Sequence, residues 1–308
     1  MPSISIILLL AAAIALPRVY SQAAPTSSKR GLVYVPSKIS ADASDDQIWI
    51  QPGSDLTWYY NYASTPTTEY NDKLNFVPMS FAIDNTFLST VQGLINSGMN
   101  ISYVLGFNEP DGTSTTGGSD IDPQSAATAW LSQIAPLRKQ GVKLGCPAVT
   151  GAQTGFSWLQ NFFAACNCTC DFIPIHWYGD FSGLASHMGE VEYYWPNSTL
   201  WITEVAYQGA DLADQQSFYN TSTEYFDRLP FVERYSWFGS FRSDVSNVGY
   251  TVAELTQNGV LTQIGSWYLG LPLQANNIPS ASSSAGRSMS SAFGWLSLFI
   301  ATAVLFAI

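Results

Sequence analysis

The chain has 308 residues, 46% of them hydrophobic, with 12 Lys and Arg against 23 Asp and Glu and a formal net charge of −11. That apolar content can fill a complete core. An acidic chain with no basic stripe is a poor partner for nucleic acid, and repulsion would slow a polyanionic substrate, whereas a neutral polymer meets no such barrier.

Residues 1–23 read as a secretory signal peptide. Ile4–Leu16 is apolar but too short to span a bilayer, and Ser21-Gln22-Ala23 supplies small residues for cleavage before Ala24. No Lys or Arg precedes the apolar stretch, so the terminal amine alone would supply the positive charge; an N-terminal membrane anchor is the rival reading. Residues 24–30 form a short tail.

From residue 31 to 272 apolar runs of strand length recur: Gly31–Pro36, Leu56–Tyr62, Asn75–Phe81, Ser102–Asn108, Lys143–Val149, Phe172–Trp177, Leu200–Val205 and Arg234–Phe241. Helical patterns fall between several of them, at Phe87–Gly98, Pro123–Gln140, Gly155–Ala165 and Ala213–Leu229. Asp122-Pro123 is an N-cap followed by Pro at the first helical position, and Gly141 fits as the stop. Strands alternating with helices predict an α/β fold, a single-domain (β/α)8 TIM barrel. A doubly wound sheet is the alternative, but no Gly-x-Gly-x-x-Gly follows any strand.

Two runs end in glutamate: Leu105-Gly106-Phe107-Asn108-Glu109-Pro110-Asp111 on the fourth strand and Trp201-Ile202-Thr203-Glu204 on the seventh. In such a barrel the C-terminal strand ends carry the reactive groups, and strands four and seven lie across one mouth. Two carboxyls there suit glycosidic-bond cleavage, one giving a proton to the leaving oxygen and the other attacking the anomeric carbon. We therefore assign Glu109 as acid/base and Glu204 as nucleophile. Asn108 offers an amide to a sugar hydroxyl. On the sixth strand, His176 offers a bond to a carboxylate or sugar, Trp177 adjoins it, and Tyr178 offers a hydroxyl to Glu204. Trp58, Tyr60 and Trp237 are groove-lining candidates, with core packing as the competing role. Asp111 is expected to orient its loop. No Ser/His/Asp order, placed Cys nucleophile or metal cluster stands out, so no cofactor and no metal are expected.

Cys146, Cys166, Cys168 and Cys170 have the wrong spacing for zinc and are expected to pair as disulfides, with a bridge from the cluster back to Cys146 as one of the possible pairings. Sequons at Asn100, Asn167, Asn197 and Asn220 agree with a secretory route. Residues 273–284 form a Ser-rich tail in which Ser282, Ser283 and Ser284 are candidate attachment sites for a glycosylphosphatidylinositol anchor. Residues 285–308, with an uncharged apolar stretch at Ala292–Ile308, read as the removed signal. A transmembrane anchor is the rival, disfavoured because no basic residues follow the stretch. The expected destination is the cell surface, plasma membrane or wall, with contact to the membrane through the lipid anchor only.

Gly106-Phe107-Asn108-Glu109-Pro110-Asp111, Pro147-Ala148, His176-Trp177-Tyr178, Trp201-Ile202-Thr203-Glu204 and Arg234-Tyr235-Ser236-Trp237-Phe238 together resemble the fungal glycosyl-hydrolase catalytic cores of glycoside hydrolase family 128. The resemblance covers roughly Gly31 to Leu269. It implies a (β/α)8 barrel and retaining cleavage of β-1,3-glucan, with Glu109 as acid/base and Glu204 as nucleophile; the function expected on this basis is endo-type cleavage in cell-wall remodelling or degradation. Met79-Ser80-Phe81 departs from the tryptophan expected at the third strand end, which bears on subsite shape. Two other functions stand beside this one: a glucan-binding surface protein with little turnover, and a hydrolase of another β-linked glucan or mannan.

Overall fold

A computed structural model describes residues 26–36, 40–272 and 277–280. The signal peptide, the attachment candidates Ser282, Ser283 and Ser284, and the apolar tail lie outside the described residues. Among the described residues no helix is long and apolar enough to cross a membrane.

Among the described residues eight strands form: β1 (Arg30–Val33), β2 (Trp58–Tyr60), β3 (Asn75–Phe76), β4 (Tyr103–Val104), β5 (Lys143–Leu144), β6 (Ile173–Trp177), β7 (Leu200–Val205) and β8 (Val232–Trp237). Each falls on or overlaps a run expected from the sequence. The ladder runs β3-β2-β1-β8-β7-β6, with β4-β5 as a separate pair, and every pairing between strands is parallel. Isolated parallel bridges Met79–Leu105 and Gly145–Phe172 join β3 to β4 and β5 to β6, so the ring closes. The helices are α1 (Phe87–Asn96), α2 (Pro123–Ala129), α3 (Gln153–Cys166), α4 (Phe181–Tyr194), α5 (Leu212–Arg228) and α6 (Gln263–Tyr268).

The expected helix at Pro123–Gln140 begins as foreseen. Asp122 accepts from the amides of Gln124 and Ser125, with Pro123 in the first turn, and Gly141 closes the segment at φ 82°. Its second half is not regular. Pro136 lacks an N–H and crowds the carbonyl four residues back, so the chain widens to a π turn over Trp130–Ile134 and then tightens to 3₁₀ over Ala135–Gln140. The helix α4 was not foreseen; Gly183 and Gly189 lower its propensity, and Asp180 caps it on the Gly183 amide.

Two cores follow from the strand alternation. Outward residues such as Leu32, Tyr59, Ile173, Ile175, Ile202, Val205, Tyr235 and Trp237 pack against the helices. Inward residues, among them Val33, Trp58, Tyr60, Met79, Phe172 and Trp201, fill the barrel. Gly31 is required where it is: a Cβ there would lie 2.0 Å from the Trp58 ring. Disulfides Cys146–Cys170 and Cys166–Cys168 tie the exit of β5 and the end of α3 to the approach to β6. All four sequon asparagines are exposed.

One buried histidine makes stability depend on pH. His187 on α4 packs between Phe156 and Trp177, with ring centroids 5.0 and 5.4 Å away, and burial lowers its pKa to about 4 despite Glu190. The folded state therefore binds fewer protons than the unfolded state between about pH 6.5 and 4, so this contribution is present above the unfolded pKa and is lost as pH falls through that window. We expect wild type to lose about 3 kcal/mol more than His187→Phe across this interval, read from denaturant midpoints at both ends.

Candidate active site

The inner face of β6 presents Pro174, His176 and, just beyond, Tyr178, because Ile173, Ile175 and Trp177 turn outward. On β2 the same period of two carries Trp58, Tyr60 and then Tyr62 inward. On β7 strict alternation would fail. Ile202 and Val205 both face the helices, three positions apart, and the pairing with β8 shifts register between them. This bulge turns Glu204 into the barrel mouth. It leaves the Thr203 carbonyl outside the regular ladder, where the hydroxyls of Tyr60 (2.9 Å) and Ser236 donate to it.

Glu109 arrives from β4 in a tight loop. Its backbone is left-handed (φ 40°) and its amide donates to the Ala148 carbonyl at 2.6 Å. Asp111 accepts from the Thr150 amide (2.9 Å) and hydroxyl (2.5 Å), joining this loop to the one after β5, as its expected orienting role requires. Gly118 closes the loop, since a Cβ there would stand 2.5 Å from the Glu109 carbonyl oxygen.

The fold brings Glu109, His176 and Glu204 together, with their nearest donor and acceptor atoms all within 4.8 Å. His176 Nδ1 lies 2.9 Å from Glu109 Oε1 and 3.4 Å from Glu204 Oε2. Tyr62 donates to Glu204 Oε1 at 2.7 Å and Tyr178 to Oε2 at 2.5 Å. Tyr62 was not singled out from the sequence; its signal was the inward alternation that it shares with Trp58 and Tyr60. Like Glu109 it is left-handed, at φ 58°.

Charge is tightly balanced here. Burial is the largest influence on Glu204 and raises its pKa; His176 opposes this, Glu109 adds to it, and the phenols of Tyr178 and Tyr62 pull it down. Burial would lower His176, but Glu204 first, then Glu109 and Asp111, outweigh it and raise the imidazole above its ordinary value. Burial, and next the Glu204 charge, push the hydroxyls of Tyr62 and Tyr178 well up, so both stay protonated donors. The carboxylate–imidazole–carboxylate set has the spacing to ligate a small cation. With both Glu204 oxygens bonded to phenols and His176 facing Glu109, it equally forms a proton-sharing cluster.

The other expected site residues divide. Asn108 adjoins Glu109; its amide nitrogen donates to Gly117 (3.2 Å), and its buried Oδ1 has no partner among the described residues. Tyr60 is a correction: wholly buried, it braces the bulge beneath Glu204 rather than lining a groove. Trp58 lies deeper, its indole N–H on the Lys29 carbonyl (3.1 Å), at the N-terminal end of the barrel. Trp237 faces the helices and donates to Val252 (2.9 Å). Trp177 also turns outward, bonded to the Asp180 carbonyl (2.9 Å) over His187. These last three take the packing role because each sits on the wrong face or wrong level of its strand.

A barrel with paired glutamates at its C-terminal mouth defines a glycoside hydrolase. The chain belongs to the glycosyl hydrolase catalytic core family, which matches residues 31–268. It is 33% identical over 256 residues, 79% of its own length, to alkali-sensitive linkage protein 1 of Schizosaccharomyces pombe, of which it spans 44%. Among solved structures it is similar to a glycoside hydrolase family 128 (subgroup II) endo-β-1,3-glucanase from Sorangium cellulosum, at 26% identity and TM-score 0.64, covering 80% of this chain and 100% of that one. A subgroup III curdlan-specific exo-β-1,3-glucanase from Blastomyces gilchristii in complex with glucose is 28% identical, with TM-score 0.62, covering 80% and 99%.

Proposed function

We propose that this protein cleaves β-1,3-glucan with retention of configuration, at internal bonds, acting at the cell surface in the remodelling or degradation of wall glucan. The observation that carries the reading is that one carboxylate oxygen of Glu109 and one of Glu204 come within 4.8 Å of each other across one mouth. A double displacement needs carboxyls about 5–5.5 Å apart, whereas direct attack by water needs about 6.5–9.5 Å. A Glu204 oxygen attacks the anomeric carbon while the C–O bond to the leaving sugar breaks and Glu109 gives that oxygen its proton. Glu109 then takes a proton from water, whose oxygen displaces Glu204 from the anomeric carbon. Asn108 Oδ1 is unpartnered but buried, so a hydroxyl of the reacting sugar would reach it only after a local rearrangement beside Glu109. The exposed sequons and the two disulfides support a secretory route.

Laminarin digestion with product sizing and anomer-resolved NMR tests this. Oligosaccharides of mixed length, formed first as the β anomer, are expected. Glucose alone would move cleavage to chain ends, first-formed α anomer would overturn retention, and binding without product would leave a glucan-binding protein.

The phenols give a finer test. Hydrogen bonds to a charged group are worth about 1.5–3 kcal/mol, so Tyr178→Phe and Tyr62→Phe should each lower kcat/KM about 10- to 100-fold. Each change also removes a bond that lowers the Glu204 pKa. The acidic limb of the pH–rate profile should therefore move toward neutral pH in both variants.

A further inference from the structure

At the opposite end of the barrel from the two glutamates, the strands begin around a caged cation. The Arg234 guanidinium lies 4.8 Å from the Tyr103 ring, 4.9 Å from Trp201 and 5.6 Å from Trp58. Its sequence neighbour Glu233 does not neutralise it. Glu233 Oε1 accepts from the Tyr103 hydroxyl (3.0 Å) and Oε2 from the Trp201 indole (2.9 Å), so this acid fixes the walls of the cage. Among the described residues the Arg234 side chain has no hydrogen-bond or ion-pair partner, and its Nε is buried and unpaired. Lys143 stands on the other approach to Tyr103, its ammonium 5.5 Å from the ring, and it too has no acid partner among the described residues.

Stacking satisfies the faces of a guanidinium, not its edge. The in-plane N–H groups still require acceptors, and leaving a partly desolvated charge without them is unfavourable. A cavity of about 80 Å³ opens beside Arg234, and its polar lining is neutral: Asn75, Asn100 and Ser102. Ser102 donates to Asn100 Oδ1 at 3.1 Å, which leaves the Asn100 amide N–H groups as further donors. One cation and neutral polar groups line this small cavity, with no carboxylate among them, and a second cation stands 5.5 Å from the Tyr103 ring that forms part of its wall, in a chain of net charge −11.

We propose that this cavity binds a phosphate-type oxyanion, free or carried on a sugar, with the edge of Arg234 as the fork that grips it and Lys143, outside the lining beside Tyr103, as a second charge acting at longer range. An arginine fork matches two phosphate oxygens at once, and its cage holds that fork in one plane before the ligand arrives. The site is separate from the glycosidic chemistry, so neither this binding nor the Glu109–Glu204 reading depends on the other.

The test titrates the full chain, made in a host without N-glycosylation so that Asn100 carries no sugar. Inorganic phosphate is the first probe, followed by calorimetry and tryptophan fluorescence against sodium chloride at equal ionic strength; Trp58 and Trp201 report directly on the cage. Saturable one-site binding is expected, abolished in Arg234→Met, at least tenfold weaker in Arg234→Lys and several-fold weaker in Lys143→Gln. Lys143 is exposed, so its variant folds and keeps the test decisive if Arg234→Met does not. Glucose 6-phosphate, as second probe, binding more tightly than phosphate would assign the source to a sugar phosphate; equal or weaker binding would assign it to the free ion. No response beyond the chloride control, or Lys143→Gln and Arg234→Lys both binding like wild type, would overturn the proposal.

Discussion

Glu204→Gln is expected to lower laminarin cleavage by about 10⁴-fold or more while laminari-oligosaccharide binding is retained, since the amide has the shape of the carboxylate but cannot form the glycosyl ester. The variant should not be less stable. Wild type holds a carboxyl raised in pKa by burial beside Glu109, and a neutral amide removes that conflict. Smaller variants identify the role. In Glu204→Gly, azide entering from the vacated side onto an activated β-glucoside should yield the α-glycosyl azide. Cleavage of laminarin at the wild-type rate in Glu204→Gln would remove this residue from the chemistry.

Glu109→Gln separates proton transfer from attack. With laminarin, whose leaving sugar needs a proton, the rate should fall about 10²- to 10⁴-fold, the usual contribution of a general acid. With an aryl glycoside whose leaving group departs as a stable anion, formation of the intermediate should proceed at near wild-type rate and its breakdown should become slow. Azide should here give the β-glycosyl azide from Glu109→Ala, opposite to the Glu204 case. The same azide product from both variants would show that the two roles are wrongly divided.

The strands were legible because a parallel barrel buries both faces, which writes each strand as an apolar run. The two glutamates stood out for the same reason, as acids at the ends of such runs. The aim of the side chains was not legible. Trp58 and Trp237 share a strand with inward-facing residues, but level and face depend on register, and one slip exchanges the faces. Trp177 follows His176 by one residue, so it must leave the face that His176 occupies. Tyr62 lay beyond the end of regular pairing, where a positive φ is not written in any propensity. The irregular half of the helix after Asp122 was marked by Pro136, and α4 was obscured by its glycines.

The bulge in β7 makes the proposed chemistry depend on a count. Thr203 and Glu204 occupy the space that a regular strand gives to one residue, and the displaced Thr203 carbonyl is held by Tyr60 from one side and Ser236 from the other. Deleting Thr203 would restore perfect alternation and still send the glutamate inward, yet one step of about 3.3 Å lower, beneath the sugar it must reach. Libraries built to retune this enzyme should therefore leave positions 60 and 236 alone, although neither side chain would touch a substrate.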